Sequence, residues 1–287
     1  MNRESLLHVN GIDLCVQTFG NVEHAPLLLI AGGASSMDWW EDDFCGRLAA
    51  RKRYVIRYDQ RDTGQSTSYP PGTSTYTMED LGEDAIALLS ALGIKCAHLV
   101  GMSLGGMIAL RLALDHLARV DSLTVISTSP GGANLPGMAK KVTEYFARAA
   151  EPDWSNRDAV IENFLEGLHA FAGKHGVDEE RARALVGRVF DRTADMASAT
   201  TNHASLASKR PLAPRLAKIA VPTLVMHGTD DPLYPFAHAQ ALARAIPGAR
   251  LLALPGVGHE MPPPGVWDLV IDAIATHTAG KRSAGAR

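Results

Sequence analysis

The sequence of 287 residues is poor in cysteine and has no long apolar run. Its three cysteines, Cys15, Cys45 and Cys96, are scattered and odd in number, so we expect reduced thiols rather than a disulfide framework or a metal site. The longest apolar stretch, residues 26–31, has the length of a β-strand and is too short to cross a bilayer. No apolar run ending in a small-residue cleavage site follows the first residues, which predicts no signal peptide. We therefore expect a cytoplasmic protein.

A strong charge of either sign is also missing, because the formal net charge is only -3 at pH 7. This gives no electrostatic reason to expect nucleic acid or an anionic membrane as a partner. The composition, 46% hydrophobic and 21% charged, is ordinary for an enzyme. The length suits one large α/β domain, alone or with an insertion. A small-molecule ester is the expected partner, and no pattern predicts an oligomeric state.

Short apolar, β-branched segments alternate with longer helical patterns, which predicts parallel strands joined by crossover helices. The pair Asn10-Gly11 between two strand-like runs instead predicts an antiparallel hairpin at the start of the sheet. The predicted strands are residues 6–9, 12–18, 26–31, 53–58, 98–102, 122–127, 222–227 and 250–254. A helix is predicted over 78–92, because Thr77 is a good N-cap with Asp80 three residues later. A final helix is predicted over 267–276.

Residues 129–215 show no convincing strand pattern and carry several amphipathic helical runs. An all-helical insertion between parallel strands must lie over the carboxyl edge of the sheet, where open α/β folds place their ligands. We predict a core of residues 1–128 and 216–279, a helical cap over 129–215 and a disordered tail at 280–287. Apolar cap residues at helical spacing are expected to pack the cap rather than to touch substrate. They include Phe164, Leu165, Leu168 and Phe171.

The sequence Gly101-Met102-Ser103-Leu104-Gly105 follows a predicted strand and precedes a helical run, as the Gly-x-Ser-x-Gly motif requires. In that context the serine lies on a tight, strained turn, and small residues on both sides let the strand and the helix approach. The hydroxyl of Ser103 projects at the head of a helix, where backbone N–H groups point outward. We predict Ser103 as a nucleophile, with a structural serine in a glycine-rich turn as the alternative.

A serine hydroxyl is a poor nucleophile at neutral pH unless a base takes its proton. His259 follows the last predicted strand, at the same sheet edge as Ser103, and is the predicted base. An acid must hold the imidazole in the right tautomer. Asp231 is the favoured acid because Pro232 fixes the backbone just beyond it, and Asp230 is the alternative.

The negative charge that develops on a carbonyl oxygen needs fixed donors, which form an oxyanion hole. The backbone N–H of Leu104 is one predicted donor, and the loop after the third strand offers Gly33, with Ala34 as the alternative. Side chains near this edge are candidates for the wall of a substrate pocket. They are Trp39, Trp40, Met102 and His203. A core role is the alternative for both tryptophans, and a surface or cap-packing role for His203. The apolar character predicts a pocket for an aromatic or long-chain ester.

Together these motifs resemble the α/β-hydrolase family over essentially the whole chain. The run DQRDTGQS at residues 59–66, and Gly32-Gly33 in place of the usual His-Gly, are similar to the aclacinomycin methylesterase-like group. The resemblance implies an α/β-hydrolase fold, with a mainly parallel eight-stranded sheet, an antiparallel hairpin at its start and a helical cap. It also implies the same triad of Ser103, Asp231 and His259. The enzyme that gives the group its name removes a methyl ester from an anthracycline.

The predicted function is hydrolysis of a carboxylic ester through an acyl-enzyme. A methyl ester of an aromatic or polyketide-like small molecule is the candidate substrate, and no metal or organic cofactor is expected. Other functions use the same constellation and stay open: cofactor-free haloperoxidase or perhydrolase chemistry, hydrolysis of a lactone or a C–C bond, and small-molecule reception without turnover. Epoxide hydrolases and haloalkane dehalogenases of this fold need an aspartate nucleophile, so Ser103 argues against both.

Overall fold

A computed structural model describes residues 4–132 and 134–279. Within these residues, eight strands form a single sheet. They are β1 (Ser5–Val9), β2 (Ile12–Phe19), β3 (Ala25–Ile30), β4 (Arg53–Tyr58), β5 (Ala97–Met102), β6 (Val120–Ile126), β7 (Thr223–Gly228) and β8 (Arg250–Leu254). Their order across the sheet is β1-β2-β4-β3-β5-β6-β7-β8.

Two kinds of strand pairing divide this sheet. β1 and β2 are antiparallel, with Val9 opposite Ile12, which leaves the predicted two-residue turn between them. β2 is also antiparallel to β4, whereas every pair from β4 across to β8 is parallel. The predicted fold, a mainly parallel eight-stranded sheet with an antiparallel hairpin at its start, is therefore confirmed.

Helices connect most of the parallel strands. Those in the described residues are α1 (Asp42–Ala50), α2 (Met78–Ala91), α3 (Leu104–Asp115), α4 (Lys140–Arg148), α5 (Arg157–Phe171), α6 (Glu179–Arg192), α7 (Met196–Ala204), α8 (Ala237–Ala245) and α9 (Trp267–His277). α2 begins where the sequence predicts, because the side chains of Thr77 and Asp80 each accept a hydrogen bond from the other's backbone N–H.

Both faces of the sheet are covered, and β3 shows how the sequence achieves this. Leu28 and Ile30 belong to an apolar cluster that includes residues of α2, α3 and α8. The alternate residues Leu27 and Leu29 belong to a second cluster, which includes residues of α1 and α9. A parallel strand buried on both faces needs such a continuous apolar run. The carboxyl ends of these strands then meet at one edge, where loops can carry polar groups.

The segment between β6 and β7 is different, because the described part of residues 129–215 contains α4 to α7 and no strand. We propose that this segment is the cap. The predicted tail at 280–287 lies outside the described residues. Among residues 4–132 and 134–279, no helix combines the length and apolar character that crossing a membrane requires.

Candidate active site

Ser103 lies at the sharp turn between β5 and α3. Its backbone has φ 51° and ψ -114°, a conformation that non-glycine residues rarely adopt and that costs about 1–3 kcal/mol. The flanking glycines explain why the turn can form. A Cβ on Gly101 would overlap the carbonyl oxygen of Gly105, and a Cβ on Gly105 would overlap the carbonyl oxygen of Ile30. Strand and helix therefore approach closely only because both positions are glycine.

The three residues predicted as nucleophile, base and acid form one chain of hydrogen bonds. Nε2 of His259 lies 3.0 Å from Oγ of Ser103. Nδ1 of the same ring lies 2.9 Å from Oδ2 of Asp231. Because a carboxylate can only accept, Nδ1 carries the proton and Nε2 is left to accept the serine hydroxyl. The backbone N–H of His259 donates to the carbonyl of Phe171 at 2.8 Å, which fixes the loop that carries the ring.

The carboxylate of Asp231 is buried and fully engaged. Its Oδ1 accepts the backbone N–H groups of Leu233 and Tyr234 at 2.9 and 2.8 Å. Its Oδ2 lies 3.2 Å from Nε2 of His227 in addition to its bond with His259. Burial would raise the pKa of Asp231, but the hydrogen bonds from the two histidines outweigh it and hold that pKa well below its usual range. The group therefore stays ionised and can balance a positive charge on His259.

Asp230, the alternative acid, lies in other surroundings. Its side chain is exposed and accepts a hydrogen bond from the hydroxyl of Thr229 at 2.8 Å. The structure thus places Asp231, not Asp230, beside His259. His227 is a contact of the acid that the sequence analysis does not identify. Its position four residues before Asp231 was the available signal.

The two predicted oxyanion donors lie next to each other. A Cβ on Gly33 would lie 3.7 Å from Cδ2 of Leu104, so the two residues are neighbours in space. Leu104 is the first residue of α3, where backbone N–H groups have no acceptor within the helix. The N–H of Ala34 donates to Nδ1 of His203 at 2.9 Å, so it is already used. This geometry favours Gly33 over Ala34 as the second donor.

Two adjoining cavities reach Ser103 and His259. The first has a volume of about 350 Å³ and a wall that includes several aromatic side chains. Its side chains include Trp39, Met102, Phe146, Phe164, Leu168 and Phe171. The second, of about 410 Å³, includes Met78, Met107, His203, Leu233 and Tyr234. Groups on both sides of a scissile bond at Ser103 therefore have room, and the surroundings of the first cavity suit an apolar group.

The four predicted pocket residues do not all line the same cavity. Trp39 and Met102 line the first cavity. Trp40 is not part of that wall: it is 1% exposed and its ring lies 5.6 Å from that of Phe44, inside the core. His203 borders the second cavity, but both of its ring nitrogens are hydrogen-bonded to the backbone.

Helix α5 both packs the helical segment, as expected, and borders the cavity. Leu165 is buried within the segment, and Phe164 and Leu168 pack against its apolar clusters. Phe164, Leu168 and Phe171, at spacings of four and three residues, also line the first cavity. An apolar helix face has the same sequence pattern whether it covers a core or a cavity. That is why the sequence alone could not assign these three side chains.

No group of three or more histidine, cysteine, aspartate or glutamate side chains that could hold a metal ion occurs in the part of the chain that the structure describes.

Comparisons with known proteins agree with this fold. A family model described as alpha/beta hydrolase fold matches residues 25–264. Rhodomycin D methylesterase DauP from Streptomyces sp. (strain C5) is 33% identical, over 93% of this chain and 95% of DauP. Rhodomycin D methylesterase DnrP from Streptomyces peucetius is 31% identical, with the same shares of the two chains. A solved hydrolase from Pseudomonas aeruginosa PA01 has a TM-score of 0.76 at 28% identity, over 97% of this chain and 99% of that one.

Proposed function

Because the chain belongs to the alpha/beta hydrolase family, we propose that it is a serine hydrolase that cleaves carboxylic esters through an acyl-enzyme. The observation that carries the proposal is the hydrogen-bonded chain from Ser103 through His259 to Asp231, with distances of 3.0 and 2.9 Å. A nucleophile within reach of a base, and a base oriented by an acid, is the arrangement that activates a serine hydroxyl.

The first half of the proposed reaction forms the acyl-enzyme. Oγ of Ser103 attacks the ester carbonyl carbon while Nε2 of His259 takes the hydroxyl proton. The carbonyl oxygen becomes negative and accepts the N–H groups of Gly33 and Leu104. The bond to the alcohol oxygen then breaks, and His259 gives its proton to the leaving alcohol. Asp231 stabilises the imidazolium between these two transfers and stays ionised itself.

The second half releases the acid. A water molecule in the place of the departed alcohol loses a proton to His259 and attacks the acyl carbon. The same two N–H groups hold the second tetrahedral oxyanion, since it occupies the same position. The bond between the acyl carbon and Oγ of Ser103 then breaks, and the serine regains its proton from His259. The atoms balance with water as the only co-reactant, so the proposal needs no further cofactor.

A methyl ester of an aromatic or polyketide-like small molecule is the proposed substrate. The wall of the first cavity supports an aromatic acyl part, because Trp39, Phe146, Phe164 and Phe171 offer ring surfaces for it. The printed names of DauP and DnrP, both rhodomycin D methylesterases, support a methyl ester. A cavity of about 350 Å³ lies at the lower end of the range of about 300–1,000 Å³ for drug-sized ligands.

The test combines active-site labelling with turnover. Wild-type protein, Ser103→Ala and Ser129→Ala are incubated with a fluorescent fluorophosphonate and then assayed on p-nitrophenyl and aryl methyl esters. Ser129 is the matched control, because its Oγ also lies 2.8 Å from a histidine, Nδ1 of His238, but outside both cavities. Labelling and turnover should persist in Ser129→Ala and disappear in Ser103→Ala.

Each result has a distinct meaning. Turnover that survives in Ser103→Ala would remove the proposed mechanism. Labelling of the wild type without turnover of any ester would leave Ser103 as a nucleophile and would contradict ester hydrolysis in favour of reception without turnover. A rate that rises from p-nitrophenyl acetate to larger acyl groups, with hydrolysis of an aryl methyl ester, would support the proposed substrate class. A steep preference for acetate would contradict it.

A further inference from the structure

His203 on α7 links the cap segment to the loop that carries the proposed oxyanion donor. Its Nδ1 lies 2.9 Å from the backbone N of Ala34, the residue after Gly33. Its Nε2 lies 2.8 Å from the carbonyl oxygen of Arg61. The side chain is only 8% exposed, although it borders the second cavity. A ring with both nitrogens engaged in this way is held in one orientation.

The partners of His203 fix its protonation state. A carbonyl oxygen only accepts, so Nε2 must carry the hydrogen toward Arg61, and Nδ1 is the acceptor for the N–H of Ala34. Burial lowers the pKa of His203, with the carbonyl of Arg61 and the charge of Asp62 acting in the opposite direction, which keeps the ring neutral near pH 7. The neutral Nε2–H tautomer is the form that makes both hydrogen bonds.

The loop conformation needs such a restraint. Ala34 has φ 55°, in the left-handed region that alanine avoids and that costs it roughly 1–2 kcal/mol. Strained backbone of this kind persists where neighbouring groups over-determine it. In this loop the hydrogen bond to His203 holds the N–H of Ala34 in place. That N–H shares one peptide plane with the carbonyl of Gly33, so the hydrogen bond fixes this plane. The N–H of Gly33 belongs to the preceding peptide unit, which is joined to the fixed plane through the Cα of Gly33.

The other end of the link is also rigid. The guanidinium of Arg61 is bound to the buried carboxylate of Asp84 through two hydrogen bonds of 2.6 and 2.8 Å. Next to Arg61, the carboxylate of Asp62 accepts a hydrogen bond from the side chain of Asn202 on α7 at 2.9 Å. Arg61 and Asp62 both belong to the run DQRDTGQS at residues 59–66, which takes no part in the proposed reaction. This run therefore anchors α7, and α7 presents His203 to the loop.

We infer that His203 is a positioning residue for the oxyanion hole, through which the cap segment holds the N–H of Gly33 in the place where the substrate oxygen becomes negative. The inference rests on the proposed function, since it concerns the same site. It assigns His203 a role other than direct contact with substrate. It also makes the donor geometry depend on α7 as well as on the sheet.

Two substitutions each remove one of the two hydrogen bonds that the ring of His203 makes. In His203→Asn, the amide oxygen takes the place of Nδ1 and keeps the acceptor for Ala34, while the bond to Arg61 is lost. In His203→Gln, the amide nitrogen reaches the place of Nε2 and keeps the donor to Arg61, while the acceptor for Ala34 is lost. Each variant loses one hydrogen bond, so their melting temperatures should fall by similar amounts.

Two measurements test the inference. The first compares the changes in kcat and in KM on a p-nitrophenyl ester, and the second is the Ki of an aryl trifluoromethyl ketone. That ketone forms a tetrahedral adduct with the serine, whose oxygen occupies the oxyanion hole. In His203→Gln we expect kcat to fall and Ki to rise by about 10- to 100-fold, less than the roughly 100- to 1,000-fold loss for a deleted donor. KM should stay within about threefold, because only transition-state binding changes. His203→Asn keeps the acceptor for Ala34, so both values should change less in it than in His203→Gln.

Wild-type kcat and Ki in His203→Gln would overturn the inference, and so would equal losses in both variants. If the glutamine variant does not fold, His203→Phe, which fills the space without an acceptor, is compared with His203→Asn in its place. Ser103→Ala is measured alongside. Turnover in that variant would mean that the proposed function fails, whereas its inactivity beside a fully active His203→Gln would mean that only this inference fails.

Discussion

Asp230 and Asp231 are neighbours in the chain, yet their carboxylates lie in different surroundings. Asp231 is buried and accepts hydrogen bonds from two backbone N–H groups and from the ring of His259. Asp230 is exposed, and its carboxylate accepts a hydrogen bond from the hydroxyl of Thr229. A charge in water is screened, whereas a buried ionised carboxylate beside an imidazole acts on it strongly. One carboxylate is therefore placed to act on the ring of His259, and the other is not.

Asparagine at each position tests this difference. Asp231→Asn removes the charge that stabilises the imidazolium and disturbs the tautomer of His259, so kcat should fall by about 1,000- to 10,000-fold. Asp230→Asn should leave kcat within about threefold of wild type, because an exposed side chain has little influence on the site. Steady-state kinetics of both variants on one p-nitrophenyl ester measure the two kcat values. A larger loss in Asp230→Asn than in Asp231→Asn would contradict the assignment.

Single residues also show where sequence reasoning reaches its limit. Ser103, Asp231 and His259 could be predicted, because each follows a strand and parallel strands end at one edge. The hydrogen bond that favours Gly33 over Ala34 could not be predicted, because it joins Ala34 to His203, which is 169 residues away in the sequence. A hydrogen bond over that separation leaves no local pattern in either segment.

Phe164 on α5 lines the first cavity and also packs against the neighbouring helices. Phe164→Ala should raise KM for an aryl ester by about 5- to 20-fold, since it removes about 1–2 kcal/mol of apolar contact with the substrate. The value of kcat should stay nearly constant, because the contact is equal in ground and transition states. KM values for a series of aryl and alkyl esters measure the effect.

The adjacent Leu165 supplies the matched control for Phe164. It is 3% exposed and packs with Ile161, Ala182 and Val186 inside the helical segment. Leu165→Ala should lower the free energy of unfolding by about 2–4 kcal/mol and leave KM within about twofold. An unchanged KM for every ester in Phe164→Ala would show that this face of α5 does not contact the substrate.

Element boundaries were predictable where local chemistry defines them. The capping residues Thr77 and Asp80 indicate the start of α2, and continuous apolar runs indicate the buried strands. Helices α1 and α8 were not predicted. Each has nine residues, and in α1 only Phe44, Cys45 and Leu48 are buried. Helices this short depend on tertiary packing more than on their own sequence.

On the scale of the whole molecule, the cap segment and the core are joined by buried polar contacts as well as by apolar packing. Arg192, the last residue of α6, binds Glu4 before β1, Asp38 after β3 and Asp59 after β4. Its distances to the carboxylates of Asp38 and Asp59 are 2.9 and 2.5 Å. Removing one partner of such a buried network leaves charge uncompensated. The network therefore fixes where α6 lies over the sheet.

Buried histidines give the whole fold a dependence on pH. Burial lowers the pKa of His98, His203 and His277, and for His98 the value is about 4. His98 lies in β5, with Nδ1 2.8 Å from the hydroxyl of Ser122. The nearby Asp121 raises its pKa, whereas Arg53 and His277 lower it, but burial has the largest effect. These rings are therefore held neutral in the folded state at pH values where they would be protonated in the unfolded chain.

The sign of the effect follows from proton binding. Between pH 6.5, the ordinary histidine pKa, and about 4, the unfolded chain binds a proton at position 98 that the folded protein does not. The free energy of unfolding should thus be greatest above pH 6.5 and fall by about 1 kcal/mol per pH unit below it for His98 alone. His98→Asn keeps an acceptor for Ser122 but cannot be protonated, so the slope of its free energy of unfolding against pH should be smaller by about that amount.

Urea unfolding of the wild type and of His98→Asn between about pH 5 and 7.5 measures the two slopes. Equal slopes would show that His98 titrates alike in the folded and unfolded chains, and that burial in the sheet does not control its protonation.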